Sequence, residues 1–213
     1  MRDADLSERR YARMSRRAAV TGAALLTLTL GACGDKVSKP AEGDMALGAP
    51  EGAKVTVVEY ASVTCSHCAT WQATVWPAFK AKYVDTNRVR YVFRELPTSP
   101  VEVATAGFLV ARCAGPDKYF GVVEELMARQ NEMFTTTPRA VLLDVAAKAG
   151  LSEDRFTACL SDTAAIERMD ARVKAAVAAD VQGTPAFFVN GEKVVDSSLA
   201  GLSGKIDAAL GAN

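Results

Sequence analysis

The chain has 213 residues, about half of them hydrophobic, which is enough for one good core and too few for two large domains. Its formal charge is zero, but the first 32 residues hold six Arg against Asp3, Asp5 and Glu8, leaving 19 basic and 22 acidic residues in the remainder. That slightly acidic body argues against a nucleic-acid partner.

The chain begins with an address. Arg16-Arg17 precede a mostly apolar run from Ala18 to Leu30, followed by Leu30-Gly31-Ala32-Cys33. Basic, apolar and small residues in that order read as a secretory signal over residues 1–32. Helical, the apolar run rises only about 20 Å against a hydrocarbon core of roughly 30 Å, so a permanent span is the weaker reading. Leu-Gly-Ala-Cys resembles the lipobox of bacterial lipoproteins, which makes Cys33 an expected lipidation site; simple cleavage nearby is the alternative. Ser15-Arg16-Arg17 bears a weak resemblance to a twin-arginine signal, and Met14 offers an alternative start. Residues 33–54, punctuated by Pro40, Gly43, Gly48, Pro50 and Gly52, read as a lipid-anchored or flexible tether.

Val55 to Ala61 is a short β-rich segment running straight into a Cys pair, and Ala69 to Tyr83 has helical character that Pro77 should kink. Arg88 to Arg94 alternates charged and apolar residues as a half-buried strand does. A long region follows with helix starts at Ser99-Pro100, Gly115-Pro116, Thr137-Pro138 and Ser152. Ala164 to Val181 is a further helix. Ala186 to Val189 reads as a strand, Asn190-Gly191 as a hairpin turn, Lys193 to Val195 as the returning strand and Ser198 to Leu210 as a closing helix.

Cys65-Ser66-His67-Cys68 sits directly after a strand and at a helix start. A zinc site needs four ligands, and the chain has one His and otherwise isolated cysteines; a c-type haem needs His after the second Cys, where Ala69 stands. A redox dithiol is the remaining reading, ahead of a structural bridge. A helix N-terminus favours negative charge, so the Cys65 thiolate should be stabilised, with His67 able to add a hydrogen bond or positive charge and no metal or other cofactor required. Glu59, in alternation with Val55, Val57 and Ala61, falls on an otherwise apolar face; the alternative is a strand-end acid turned to water.

Glu59-Tyr60-Ala61-Ser62 leading to Cys65-Ser66-His67-Cys68, with Gly183-Thr184-Pro185-Ala186-Phe187-Phe188-Val189-Asn190-Gly191 downstream, resembles the DsbA family of bacterial disulfide oxidoreductases over roughly residues 46 to 213. The resemblance implies an α/β thioredoxin fold over 55–98 and 163–213, with an all-helical insertion at 99–162. It makes Cys65 the exposed nucleophile, Cys68 its shielded partner and Glu59 a buried proton acceptor beside Cys68. Thr184-Pro185 becomes a cis-proline loop that binds substrate backbone. The family usually has Pro where Ser66 stands. With Cys33 acylated and Cys65 and Cys68 paired, Cys113 and Cys159 are expected to bond across the insertion, two buried thiols being the alternative. The function implied is disulfide introduction into reduced, unfolded exported proteins by a monomer in the periplasm or cell envelope, re-oxidised by a quinone-linked membrane oxidase of DsbB type. An isomerase or reductase of the same fold, or a copper-binding chaperone, are the alternatives.

Overall fold

The structure is a computed structural model and describes residues 35–211. The expected signal, the twin-arginine pair, Met14 and Cys33 lie outside these residues. In chain order the elements are α1 (Asp35–Ser38), β1 (Met45–Gly48), β2 (Thr56–Ala61), α2 (Ser66–Thr74), α3 (Trp76–Phe79) and β3 (Arg90–Glu95). Then come α4 (Val101–Cys113), α5 (Pro116–Ala128), α6 (Gln130–Thr135), α7 (Pro138–Lys148), α8 (Glu153–Leu160) and α9 (Thr163–Ala178). The chain closes with β4 (Ala186–Val189), β5 (Glu192–Val194) and α10 (Leu199–Gly211). Among these residues no helix is long and apolar enough to cross a membrane.

The five strands lie in the order β1-β3-β2-β4-β5. Only β2 and β3 are parallel, the pairing that the α2–α3 crossover makes available. β2 is central and buried from Val57 onward, which explains its near-continuous apolar run. Val57 and Ala61 pack on one face with Phe79, Tyr91, Phe108, Phe187 and Leu202, whereas Val58 and Tyr60 pack on the other with Val37, Val92, Ala176 and Phe188. The chain is thus an α/β thioredoxin fold, with helices α4 to α8 following β3 in sequence.

The helix after the Cys pair is interrupted. α2 ends at Thr74, and α3 restarts with Pro77 in its first turn, where a missing N–H costs nothing. A turn of wider π helix over Lys80–Val84 completes the crossover. The next strand begins at Arg90 rather than Arg88, because the N–H groups of Arg88 and Val89 are taken by the Tyr83 carbonyl at 2.9 and 3.2 Å. At the hairpin, Asn190 and Gly191 both have positive φ (48° and 85°), as a two-residue turn of this type requires. The Asn190 side chain also accepts the Thr56 N–H at 2.8 Å, fastening the turn to the start of β2. β5 ends at Val194, and Val195, expected within it, is exposed.

The reading of 33–54 as a tether is corrected over its described part. Met45 to Gly48 add an antiparallel edge strand to β3, from Met45 opposite Phe93 to Gly48 opposite Arg90. Gly48 is required there: its φ is +79°, and a Cβ would stand 2.5 Å from the Val89 carbonyl oxygen. Arg94 of β3 secures the approach by donating to Asp44 Oδ1 (2.7 Å) and to the carbonyls of Val37 (2.9 Å) and Lys39 (2.8 Å). Val37 is buried against the sheet and Met45 and Leu47 pack on the core, but these few anchors are spaced among glycines and prolines, so the segment's composition resembles a linker.

Cys113 at the end of α4 is joined to Cys159 on α8, with Cα atoms 6.1 Å apart and 46 residues of separation. Closing a loop of that length stabilises the fold by about 4 kcal/mol in the chain-entropy account. A second tie is Glu95, fully buried at the end of β3. It accepts from Arg112 of α4 (2.6 Å), Tyr119 of α5 (3.0 Å) and Arg172 of α9 (2.8 Å), fastening three helices to one strand.

Candidate active site

β2 delivers the chain to the site. After Ala61 the backbone leaves the sheet through Ser62, Val63 and Thr64, and Cys65 takes the extended conformation of a helix cap (φ −84°, ψ 117°) at the head of α2. The first N–H groups of the helix have no partner within it, and those of His67 and Cys68 hydrogen-bond the Cys65 sulfur. Cys65 is half-buried and Cys68 wholly buried, both as free thiols. From the other side, the loop before β4 presents the cis peptide Thr184-Pro185, and the Cys65 thiol lies 3.3 Å from the Thr184 carbonyl oxygen.

These contacts divide the two thiols. A hydrogen bond from Cys68 lowers the Cys65 thiol most; partial burial opposes it, while Thr184 and the two main-chain N–H groups assist, and the result is a value of about 5. Cys68 is driven far above the ordinary thiol range, first by donating to Cys65 and then by burial. One sulfur is a thiolate at neutral pH and its neighbour a thiol. That is the charge distribution of a nucleophile with a resolving partner.

Glu59 faces the same interior and is 1 % exposed. Burial raises its carboxyl to about 8, opposed by a hydrogen bond from the Tyr91 hydroxyl and assisted by the Cys65 charge. Tyr91, opposite Val57 on β3, packs its ring 4.6 Å from Trp76, which fixes the hydroxyl on the carboxylate. The sequence marked Tyr91 only as a strand residue; that positions 57, 59 and 61 share its face is the signal that could have found it.

Ser66 and His67 are exposed. His67 lines a groove of about 420 Å³ with Thr70, Trp71 and Thr74 of α2, Thr184, Pro185, Ser197 and Ser198, and neither Cys65 nor Cys68 is among its lining residues. The His67 main-chain N–H reaches the Cys65 sulfur. A larger cleft of about 620 Å³ lies beside the Cys113–Cys159 bridge between α4, α8 and α9; neither Cys65 nor Cys68 borders it. Among the described residues no group of three or more His, Cys, Asp or Glu is placed to hold a metal.

A paired thiolate and buried thiol at a helix head, faced by a cis-proline loop, places the chain in the dithiol class of thioredoxin-fold proteins. A family model described as Thioredoxin matches residues 40–208, and the chain belongs to that family. A Rickettsia bellii protein named as a protein-disulfide oxidoreductase is 34% identical over 172 residues, covering 79% of this chain; the chain spans 65% of that relative's length. Among solved structures, alpha-DsbA1 of Wolbachia pipientis superposes with a TM-score of 0.73 at 25% identity, over 81% of this chain and 93% of its own. A protein-disulfide isomerase from Novosphingobium aromaticivorans superposes with a TM-score of 0.69 at 22% identity, over 81% and 100%, a likeness of fold alone.

Proposed function

We propose that the protein is an exported disulfide oxidase, and the observation that carries this reading is the Cys65 sulfur at the head of α2, 3.3 Å from the Thr184 carbonyl, where its surroundings lower the thiol to about 5. Stabilising the thiolate stabilises the reduced form, which makes the disulfide a stronger oxidant.

The cycle starts from a Cys65–Cys68 disulfide. A thiolate of a reduced, unfolded exported protein attacks the exposed Cys65 sulfur; the Cys65–Cys68 bond breaks and Cys68 leaves, taking a proton from the protonated Glu59 beside it. The substrate's second thiolate then attacks its own sulfur in the mixed disulfide and expels Cys65, a good leaving group because its conjugate thiol is acidic. Two electrons have passed from substrate to protein. A quinone-linked membrane oxidase of DsbB type takes them on. The Thr184 backbone beside cis-Pro185 receives the substrate as an added strand, so recognition is by main chain rather than by sequence. Location in the periplasm or cell envelope, with Cys33 as lipid anchor, rests on the signal-like residues 1–33. No cofactor enters the cycle.

Mixing the oxidised protein with a reduced, denatured two-cysteine substrate tests the reading. Substrate should be oxidised stoichiometrically, and Cys68→Ala, loaded as a Cys65 mixed disulfide, should release a two-cysteine substrate in oxidised form but a one-cysteine substrate only to an added thiol. Faster reshuffling of a scrambled substrate than oxidation of a reduced one would instead mark an isomerase.

A further inference from the structure

Five polar or charged residues are buried among the described residues: Glu59, Ser62, Thr64, Glu95 and Gln130. Burying a polar side chain is costly unless every group is paired, so their placement calls for a reason. Two of them, Ser62 and Thr64, belong with Val63 to the three-residue link between β2 and Cys65, and Gln130 reaches into that link from α6.

The hydrogen positions in this link are fixed by counting donors. Ser62 Oγ accepts the N–H of Thr64 (3.3 Å) and of Thr98 (3.1 Å). Its own hydrogen then has Thr64 Oγ1 at 3.0 Å as acceptor. Thr64 donates onward to the Thr98 carbonyl at 2.9 Å and accepts from the Thr98 hydroxyl at 3.0 Å. Gln130 Nε2 donates to the Val63 carbonyl at 2.9 Å. The link is thus clamped from the end of β3 and from the helical insertion. Its main chain in turn holds both cysteines: the Cys65 N–H donates to the Ser62 carbonyl at 3.2 Å, and the Ser62 N–H hydrogen-bonds the Cys68 sulfur.

Resting on the thiol–disulfide reading above, we infer that Thr64, Thr98 and Gln130 are positioning residues for Cys68: they hold the Ser62 N–H on its sulfur and so set how fast it closes the Cys65–Cys68 bond. The Ser62 N–H stabilises negative charge on Cys68 at the moment its proton leaves. A clamp that merely supported the fold would have no reason to concentrate on the link touching the buried thiol.

Glutathione disulfide separates the steps without a protein substrate. The Cys65 thiolate attacks one sulfur of glutathione disulfide, the S–S bond breaks, and a glutathione thiolate leaves. Cys68 then passes its proton to ionised Glu59 and attacks the Cys65 sulfur, expelling the second glutathione; the dithiol is oxidised and the disulfide reduced by two electrons. Both rates are read by acid quenching and mass measurement on the full chain. Thr64→Val and Gln130→Leu should each slow closure by about tenfold or more, the scale of a misplaced reacting group, with the first step and the Cys65 titration midpoint unchanged. Thr64→Ser, which keeps the hydroxyl, should restore closure. Closure within about twofold of the parent in both variants, even with reduced stability, would overturn the inference, as would equal slowing of both steps. If the parent neither forms a Cys65 mixed disulfide nor becomes oxidised at Cys65–Cys68, the thiol–disulfide reading itself fails and takes this one with it.

Discussion

Replacing Glu95 by Ala should destabilise the protein by about 3–5 kcal/mol, the usual cost of breaking a buried ion pair from one side. The carboxylate is fully buried, whereas Arg112 and Arg172 retain only 22% and 17% side-chain exposure. Its removal leaves two guanidinium groups and the Tyr119 hydroxyl facing one another without a counter-charge. The cost is shared by the three helices that Glu95 ties to β3, so these should loosen first, read as early loss of amide protection in α4 and α5. Urea denaturation with the Cys113–Cys159 bridge intact measures the total. A loss below about 1 kcal/mol, the scale of an exposed pair, would mean that the arginines re-solvate freely.

The second large effect is a pH dependence that a single substitution exposes. The Cys65 thiol is lowered from 9.0 to about 5, so between those values the unfolded reduced chain binds a proton that the folded one does not, and stability rises with pH. Glu59 is raised from 4.5 to about 8, so over that interval the folded state holds the extra proton and stability falls with pH. The two slopes oppose each other across pH 5 to 8, and the reduced wild-type protein should be nearly flat there. Glu59→Gln removes one of them, and the reduced variant should gain stability steadily as pH rises from 5. In the oxidised protein Cys65 does not titrate, so wild type should lose stability over the Glu59 interval and the variant should not. Denaturant midpoints at several pH values, in both redox states, give four curves; a reduced Glu59→Gln protein with no upward slope would contradict the Cys65 assignment, and an oxidised wild type with no downward slope the Glu59 assignment. The ultraviolet absorbance of the thiolate, titrated in parallel, should have its midpoint near 5 and vanish in Cys65→Ser.

The parts of this site that could be read without coordinates are those written locally. Cys65 to Cys68 are contiguous, Thr184-Pro185 stands immediately before a strand, and the parity of β2 alone placed Glu59 on an apolar face. The residues that were not legible act across elements. Tyr91 is an ordinary strand aromatic until β3 lies beside β2, and Thr98 is a loop residue until its N–H meets Ser62 at 3.1 Å. Gln130 opens a six-residue helix whose sequence has no link to Val63, 67 positions earlier. Glu95 was unremarked because nothing local pairs a strand-end acid with arginines 17 and 77 residues downstream. The edge strand Met45–Gly48 was hidden for the same reason: four residues among glycines and prolines carry no period, and their partner lies in β3.

The equilibrium potential of the Cys65–Cys68 pair against glutathione tests the oxidase reading most directly. With Cys65 a thiolate near neutrality and Cys68 held as a thiol, the reduced form is favoured, and the potential should lie nearer the value of about −120 mV found for a strong oxidant than that of thioredoxin, about −270 mV. A thioredoxin-like potential would contradict it and make the protein a reductant.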